Sequence, residues 1–298
     1  MAKYSLAQLD QYFDRINFSQ GDYAAHDTLE FLTALVRQHI TQVPFETLAL
    51  HYSPDREISL DPGPLFDKIV SRRRGGYCFE LNTFFDIILR SIGFKPTLVG
   101  CRMANRSVES RSKSRWKGLS HMAILVILQQ DRYLVDVGCG IHGPIQPLLL
   151  STEHTPPGIT SQNLKLEFKK LAPDADSPPV WVYSKRDGDK KGWEEIYAFA
   201  DAEFLTSDFH VLSYYTMKAS PFTKIIMAQN VYEDANGQTG RYSLLGKQLW
   251  KLVGEEQETV QTLETEADRI NALEKYFKIF MSDEEKAAIE DSEFKLTM

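Results

Sequence analysis

At 298 residues, with 43% apolar and 25% charged side chains, the chain can bury a sizeable core and carries no signature of disorder. A net charge of −7 argues against a dedicated nucleic-acid binder, which carries a basic face. Three cysteines give no disulfide framework, and the longest apolar run, Met122 to Leu128, falls far short of a bilayer span. The opening stretch MAKYSLAQLDQYFDRI lacks the apolar core of a signal peptide, so a cytoplasmic protein without a membrane partner is expected.

Residues 1–95 read as helical. Leu6, Leu9, Tyr12, Phe13 and Ile16 recur at helical spacing, and Asp27-Thr28 caps a second helix whose apolar face is Leu29, Leu32, Leu35 and Val36. A third helix starts near Tyr77 and runs through LNTFFDIILRSI, with Gly93 at its C′ position and Pro96 barring a return to helix. From 96 to 204, PTLVGCRM, HMAILVIL, RYLVDVG, LKLEFKKL and VWVYSK are short and β-branched, between polar or Pro/Gly stretches; they predict an antiparallel sheet or barrel. From 205 to 298 the pattern mixes FLTSDFHVLSYY, a strand-like TKIIMAQNVY, a turn at Asn236-Gly237 and a helix through EADRINALEKYFKIF. The expectation is an α+β protein in three parts: helical bundle, β-barrel and α/β lid.

One short stretch holds most of the chemistry. In RRRGGYCFELN, residues 72–82, Gly75-Gly76 permits a tight turn and Cys78 falls in the first turn of the third helix. Free helix N–H groups favour an anion there, and Arg72, Arg73 and Arg74 add positive charge; such surroundings lower a thiol's pKa. A cysteine is more often a small buried hydrophobe, so the nucleophile reading needs partners. His121 opens the strand HMAILVIL and Asp136 ends RYLV; pairing of those two strands sets imidazole and carboxylate side by side, and a buried carboxylate requires such a partner. Cys78, His121 and Asp136 therefore form a candidate triad.

Other patterns carry less. GCGIHG, residues 138–143, matches G-x-G-x-x-G, but Pro144 and Pro147 prevent a helix and no acid follows at the required distance, so it reads as a loop beside Asp136. The run from Arg102 to Gly118 has many basic residues against a single acid, Glu109; it is a hydrophilic loop, or an attractor for a polyanionic cofactor. Cysteine spacing gives no zinc site, so no metal is expected.

RGGYCFELN resembles the R-G-G-x-C-x-E-x-N motif of the arylamine N-acetyltransferases. Gly118-Leu119-Ser120-His121 and Asp136-Val137-Gly138-Cys139-Gly140 resemble that family's histidine and D-x-G-x-G segments in the same order. VPFETL (43–48) is similar to its V-P-F-E-N-L segment and YFDRINF (12–18) to its N-terminal signature; the likeness runs from about residue 10 to about 230. It implies a cysteine-protease-like triad between bundle and barrel, with Cys78 as nucleophile, His121 as base and Asp136 as its orienter. It further implies a Glu46–Arg74 ion pair bracing the cysteine loop, an acceptor pocket lined by Phe45, Cys139 and Phe222, and entry of CoA past Lys117 and Gly118. The family's lid segment S-T-x-P-x-S-x-F is replaced here by Thr216-Met217-Lys218-Ala219-Ser220-Pro221-Phe222, which keeps Thr216 and Ser220 as candidate CoA contacts and offers Lys218 to a phosphate. The small Cys139 leaves room where many members carry an aromatic.

The implied activity is ping-pong transfer of an acetyl group from acetyl-CoA to an aromatic amine or hydrazine, with malonyl-CoA as the alternative donor. Acyl-CoA is then a cosubstrate, with no tightly bound cofactor and no protein or nucleic-acid partner. A peptidase or transglutaminase-like enzyme with the same three residues, and a non-catalytic binding protein, are the competing classes.

Overall fold

The computed structural model describes residues 2–297 apart from 20, 22–25, 106–114, 160–161, 173–175, 189–191, 235, 255 and 291; most of the basic run lies outside the described residues. Its N-terminal part holds helices α1 (Leu6–Arg15), α2 (Leu29–Gln42), α3 (Ala49–Tyr52), α4 (Pro62–Phe66) and α5 (Cys78–Ile92), a two-residue strand β1 (Phe45–Glu46), and a π turn at Asp67–Ser71. Thr28 Oγ1 accepts from the Phe31 amide at 3.1 Å to start α2. α5 is buried all along from Cys78 to Leu89, its polar Glu80, Asn82, Thr83 and Asp86 included. Its entry is fixed by Glu80, whose Oε2 accepts from the Tyr77 amide at 3.0 Å. Gly93, at φ +120°, ends it.

A seven-stranded antiparallel sheet follows, ordered β5-β4-β3-β2-β8-β7-β6 and nearly closed into a barrel. Its strands are β2 (Pro96–Ala104), β3 (Trp116–Leu128), β4 (Asp131–Val135), β5 (Leu148–Leu149), β6 (Gln162–Lys169), β7 (Val180–Asp187) and β8 (Glu194–Phe199). β3 explains its own long apolar run. Met122, Ile124 and Val126 pack on the α5 core, while Ala123 and Leu125 fill the barrel with Tyr183 and Tyr197. Both faces are buried, so polar alternation is lost.

After α6 (Thr206–Ala219) comes a second antiparallel sheet, β1-β9-β10-β11-β12, built from β9 (Met227–Glu233), β10 (Thr239–Leu245), β11 (Gln248–Val253) and β12 (Glu256–Thr262). Helices α7 (Glu266–Phe277) and α8 (Asp283–Ala288) follow. This sheet departs from the expected three-part order, because its edge strand β1 comes from residues 45–46. Pro44 forces the residue before it out of helical geometry, so the chain leaves α2 extended and Phe45 and Glu46 pair with Gln229 and Ala228.

Candidate active site

Three elements converge at the start of α5. His121 sits in β3, opposite Cys101 of β2, and β3 pairs with β4 from Ile124/Val135 to Leu128/Asp131. That register delivers Asp136, one residue beyond β4, to the imidazole: His121 Nε2 donates to Asp136 Oδ2 at 2.7 Å. Both side chains are buried, at 2% and 1% exposure. Asp136 Oδ1 accepts from Asn82 Nδ2 and from the Gly138 amide, each at 2.9 Å. Asn82 lies one turn after Cys78 on the same helix, and its Oδ1 accepts from the Val137 amide at 3.0 Å. The 136–138 loop is thus tied to the helix that carries the thiol. Gly138 closes the junction, since a Cβ there would lie 2.8 Å from Cys78 Cα. Tyr197 covers the imidazole, with ring centroids 5.0 Å apart.

The electrostatics of Cys78 differ from the sequence expectation. Burial pushes its thiol up and the Asp136 carboxylate adds to this, against the amides at the helix start. The arginines do not face it. Arg72 is half exposed and pairs with Asp67, while Arg74 Nη2 donates to Glu46 Oε1 at 3.3 Å and Nη1 to Glu285. Lys68, which sequence reading missed, donates to Glu80 at 2.6 Å. The charges of Arg72 and Arg74 are taken up in holding the loop, and Arg73 is exposed. His121 is the group that holds a proton: burial opposes its charged form, but Asp136 and Cys139 win and raise it to about 10. Gly75 and Gly76 also serve a different end from the expected tight turn. A Cβ at Gly75 would fall 1.8 Å from the Pro44 carbonyl oxygen, and one at Gly76 2.7 Å from Glu80 Oε2, so close backbone approach requires glycine at both.

Cys139 lies against the imidazole rather than only lining a pocket: ligand atoms of His121, Asp136 and Cys139 all fall within 4.8 Å of one another. Those three atoms are close enough for one metal ion, yet the Asp136 oxygens are already committed to three donors. A cavity beside them is lined by Phe45, Asp136, Cys139, Gln229 and Arg241. Phe222 packs on Phe45 and Tyr77, at 6.0 and 6.2 Å between centroids. Lys117 and Gly118 are exposed on β3 a few residues before His121. Thr216 is buried on α6, at 4% exposure. Ser220 Oγ accepts from the Phe222 amide at 3.2 Å, which caps the following turn. Lys218 Nζ is 3.5 Å from Glu57. Asn82, Gln229 and Arg241 were not singled out from sequence; only Asn82, four residues after Cys78, carried a positional signal.

Cysteine, histidine and aspartate at one junction of a helical region with a near-closed barrel define the class of thiol proteins with an imidazole–carboxylate pair. A family model described as N-acetyltransferase matches residues 28–286, and the chain belongs to the arylamine N-acetyltransferase family. The match extends past the point near residue 230 where the motif likeness fades. N-malonyltransferase FDB2 of Fusarium pseudograminearum is 33% identical over 95% of this chain and 92% of that protein. The arylamine N-acetyltransferase of Mycobacterium abscessus superposes with a TM-score of 0.80 at 25% identity, covering 95% of this chain and 93% of that one. The Mycobacterium marinum enzyme, solved in complex with CoA, gives 0.77 at 26%, covering 95% and 98%. The protein is an acyltransferase.

Proposed function

We propose that the protein moves an acetyl group from acetyl-CoA to the nitrogen of an arylamine or arylhydrazine through a thioester on Cys78. The observation that carries this reading is the His121–Asp136 hydrogen bond of 2.7 Å, tied through Asn82 and Gly138 to the helix turn holding Cys78. Asp136 fixes Nε2–H toward itself, and Nδ1 holds the proton taken from Cys78, in keeping with the raised His121. The Cys78 sulfur, as the thiolate beside that imidazolium, attacks the thioester carbonyl; the carbon–sulfur bond to CoA breaks and the leaving sulfur takes the proton from His121. The amine then attacks the acyl-cysteine, His121 takes its proton, and Cys78 leaves as the thiol. Amides at the start of α5 stabilise the oxyanion in both steps. In this scheme imidazole basicity, rather than the arginine run, makes the thiolate.

CoA enters past Lys117 and Gly118, and the amine rests against Phe45, Phe222 and Cys139. The three-part division at about 95 and 204 and a cytoplasmic location belong to the same reading. A second reading has malonyl-CoA as donor: the Fusarium relative is named for that transfer, and a buried arginine, Arg241, lines the cavity.

The test is intact mass after incubation with acetyl-CoA, and separately with malonyl-CoA, for wild type and Cys78→Ala. One acyl group gained by wild type alone, and lost on adding an arylamine, is expected. An adduct that persists in Cys78→Ala, or none with either donor, overturns the scheme and redirects attention to peptide substrates.

A further inference from the structure

Two of the residues proposed to hold the amine, Phe45 and Cys139, are placed by one glutamine. Gln229, on β9 and 8% exposed, pairs in the sheet with Phe45 of β1 on one side and Ser243 of β10 on the other. Its Oε1 accepts from the Ile141 amide at 3.0 Å, and its Nε2 donates to Ser243 Oγ at 3.3 Å. Ile141 lies in the short turn Gly140–His142 that follows Cys139. The approach is close. Gly140 has φ +57°, and a Cβ there would fall 2.2 Å from Gln229 Oε1 and 3.5 Å from Phe45 Cγ, so glycine is required on both counts. Farther along, Tyr183 Oη donates to the His142 carbonyl at 3.1 Å and Arg241 Nη2 to the Gly143 carbonyl at 2.8 Å. Before Cys139, the Val137 and Gly138 amides donate to Asn82 and Asp136. Cys139 is held from both flanks, with its sulfur within 4.8 Å of ligand atoms of His121 and Asp136.

Phe45, Cys139 and Gln229 border one cavity, whose volume of about 20 Å³ admits a water but not an aromatic ring. An arylamine that rests between Phe45 and Cys139 must therefore part them. Gln229 resists that movement, because its backbone pairs with Phe45 and its side chain holds the Cys139 turn. Parting the two strips the Ile141 amide of its acceptor, and an amide left without a partner away from water is costly. We propose that Gln229 is a positioning residue that ties the Cys139 turn to the Phe45 strand and restricts the acceptors to narrow amines, hydrazines and single-ring arylamines, over fused-ring ones. This rests on the Cys78 acyl-transfer reading above. The bonds made and broken are those of that scheme: the amine nitrogen bonds the acyl carbon, the bond to Cys78 sulfur breaks, and His121 takes the amine proton. The tie changes only which nitrogen can reach that carbon.

The test loads Cys78 from acetyl-CoA, then chases the acyl-enzyme with aniline or with 2-naphthylamine, two amines of similar basicity and different width, and reads the second-order deacylation constant for each. Wild type is expected to favour aniline. Gln229→Leu, of similar bulk but unable to accept or donate, is expected to raise the naphthylamine-to-aniline ratio by about 10-fold, the scale of one hydrogen bond to a buried amide. Gln229→Glu keeps an oxygen for the Ile141 amide and should hold the ratio within about 3-fold of wild type. A merely structural role slows both amines alike; an unmoved ratio in Gln229→Leu overturns the proposal. So does a Gln229→Glu ratio equal to that of Gln229→Leu, or wild type that takes both amines equally. Where Gln229→Leu does not fold, Ser243→Ala decides: it loosens the glutamine amide and should raise the ratio about 3-fold, and no change overturns the tie. An acyl adduct with an unmoved ratio leaves Cys78 transfer standing; no adduct on wild type sinks both.

Discussion

Two buried charged regions border the start of α5, and their pairing differs completely. In the loop that leads to Cys78, Lys68, Glu80, Glu46, Arg74 and Glu285 form a connected set of ion pairs, with Glu46 also accepting from the Leu48 amide at 2.6 Å. Across the 136–140 loop, Arg241 donates to one carbonyl, and Asp187 acts on it from beyond hydrogen-bond distance. A closed set of charges has no capacity left for a ligand; its work is to fix backbone, and here it fixes the turn that aims the thiol. A charge bonded to one carbonyl also fixes backbone, yet it keeps donors that a substrate can meet. Buried charge in this protein therefore divides into scaffold and site according to whether its partners are internal.

His121 and Asp136 form a third set that belongs to both kinds: paired with each other, yet placed to exchange a proton. Asp136→Asn is the sharpest way to break the comparison and has the largest expected effect. An amide cannot hold the imidazole in the required tautomer, so Cys78 acylation should fall by roughly 10³- to 10⁴-fold with the fold retained. The pH dependence of stability gives an independent reading. His121 is raised from 6.5 to about 10, so its stabilising contribution is full below about pH 6.5 and is lost as pH rises toward 10. Asp136 is held below its ordinary 3.8, with burial opposing and His121 prevailing, so its contribution is present above that value and lost as pH falls. Wild-type Tm should thus decline on the alkaline side from about pH 6.5, and Asp136→Asn should flatten that decline. Equal slopes in the two proteins would mean the pair contributes no proton-linked stability.

Next in size is the scaffold itself. Burial disfavours the Glu46 carboxylate, but Lys68, Arg74 and two backbone amides hold it below its ordinary range. Glu46→Gln leaves those two cations facing a neutral amide in a buried site. A loss of about 3–5 kcal/mol is expected from urea unfolding, since removing one member strands the others. A loss under about 1 kcal/mol would show that the network is not what holds the loop, and the division drawn here would collapse.

How much of this was legible follows from how local each signal is. The helix carrying Cys78 could be read from spacing, its Gly93 stop and Pro96, and the adjacency of His121 and Asp136 from two neighbouring strands joined by a short turn. The motifs around those three residues carried the family and with it the transfer chemistry. Non-local pairing was not legible. Phe45-Glu46 read as part of a helical region because nothing in VPFETL announces a partner strand 180 residues away, yet β9 takes it as an edge. Arg241 is one arginine in a strand; only the sheet places it beside Cys139. The arginine run misled for a related reason, because Glu46 and Glu285 lie far from it in sequence and neutralise Arg74 in the fold.

The smallest expected effect tests a charge that is neither scaffold nor cavity. Lys218 ends α6, 45% exposed, with its Nζ 3.5 Å from a Glu57 carboxylate that is 66% exposed. A pair so open to water contributes about 0.2–1 kcal/mol at most, and Lys218→Ala should shift Tm barely at all. Its charge matters only to an anion arriving from solvent, and a CoA phosphate passing the lid is such an anion. The KM for acyl-CoA should therefore rise by about 3- to 10-fold at low ionic strength, with kcat nearly unchanged, and the difference should fade at high salt as screening shortens the reach of the charge. Glu57→Gln should act in the opposite sense, because it frees Lys218 from the carboxylate 3.5 Å away. A KM indifferent to both substitutions would remove Lys218 from the CoA path.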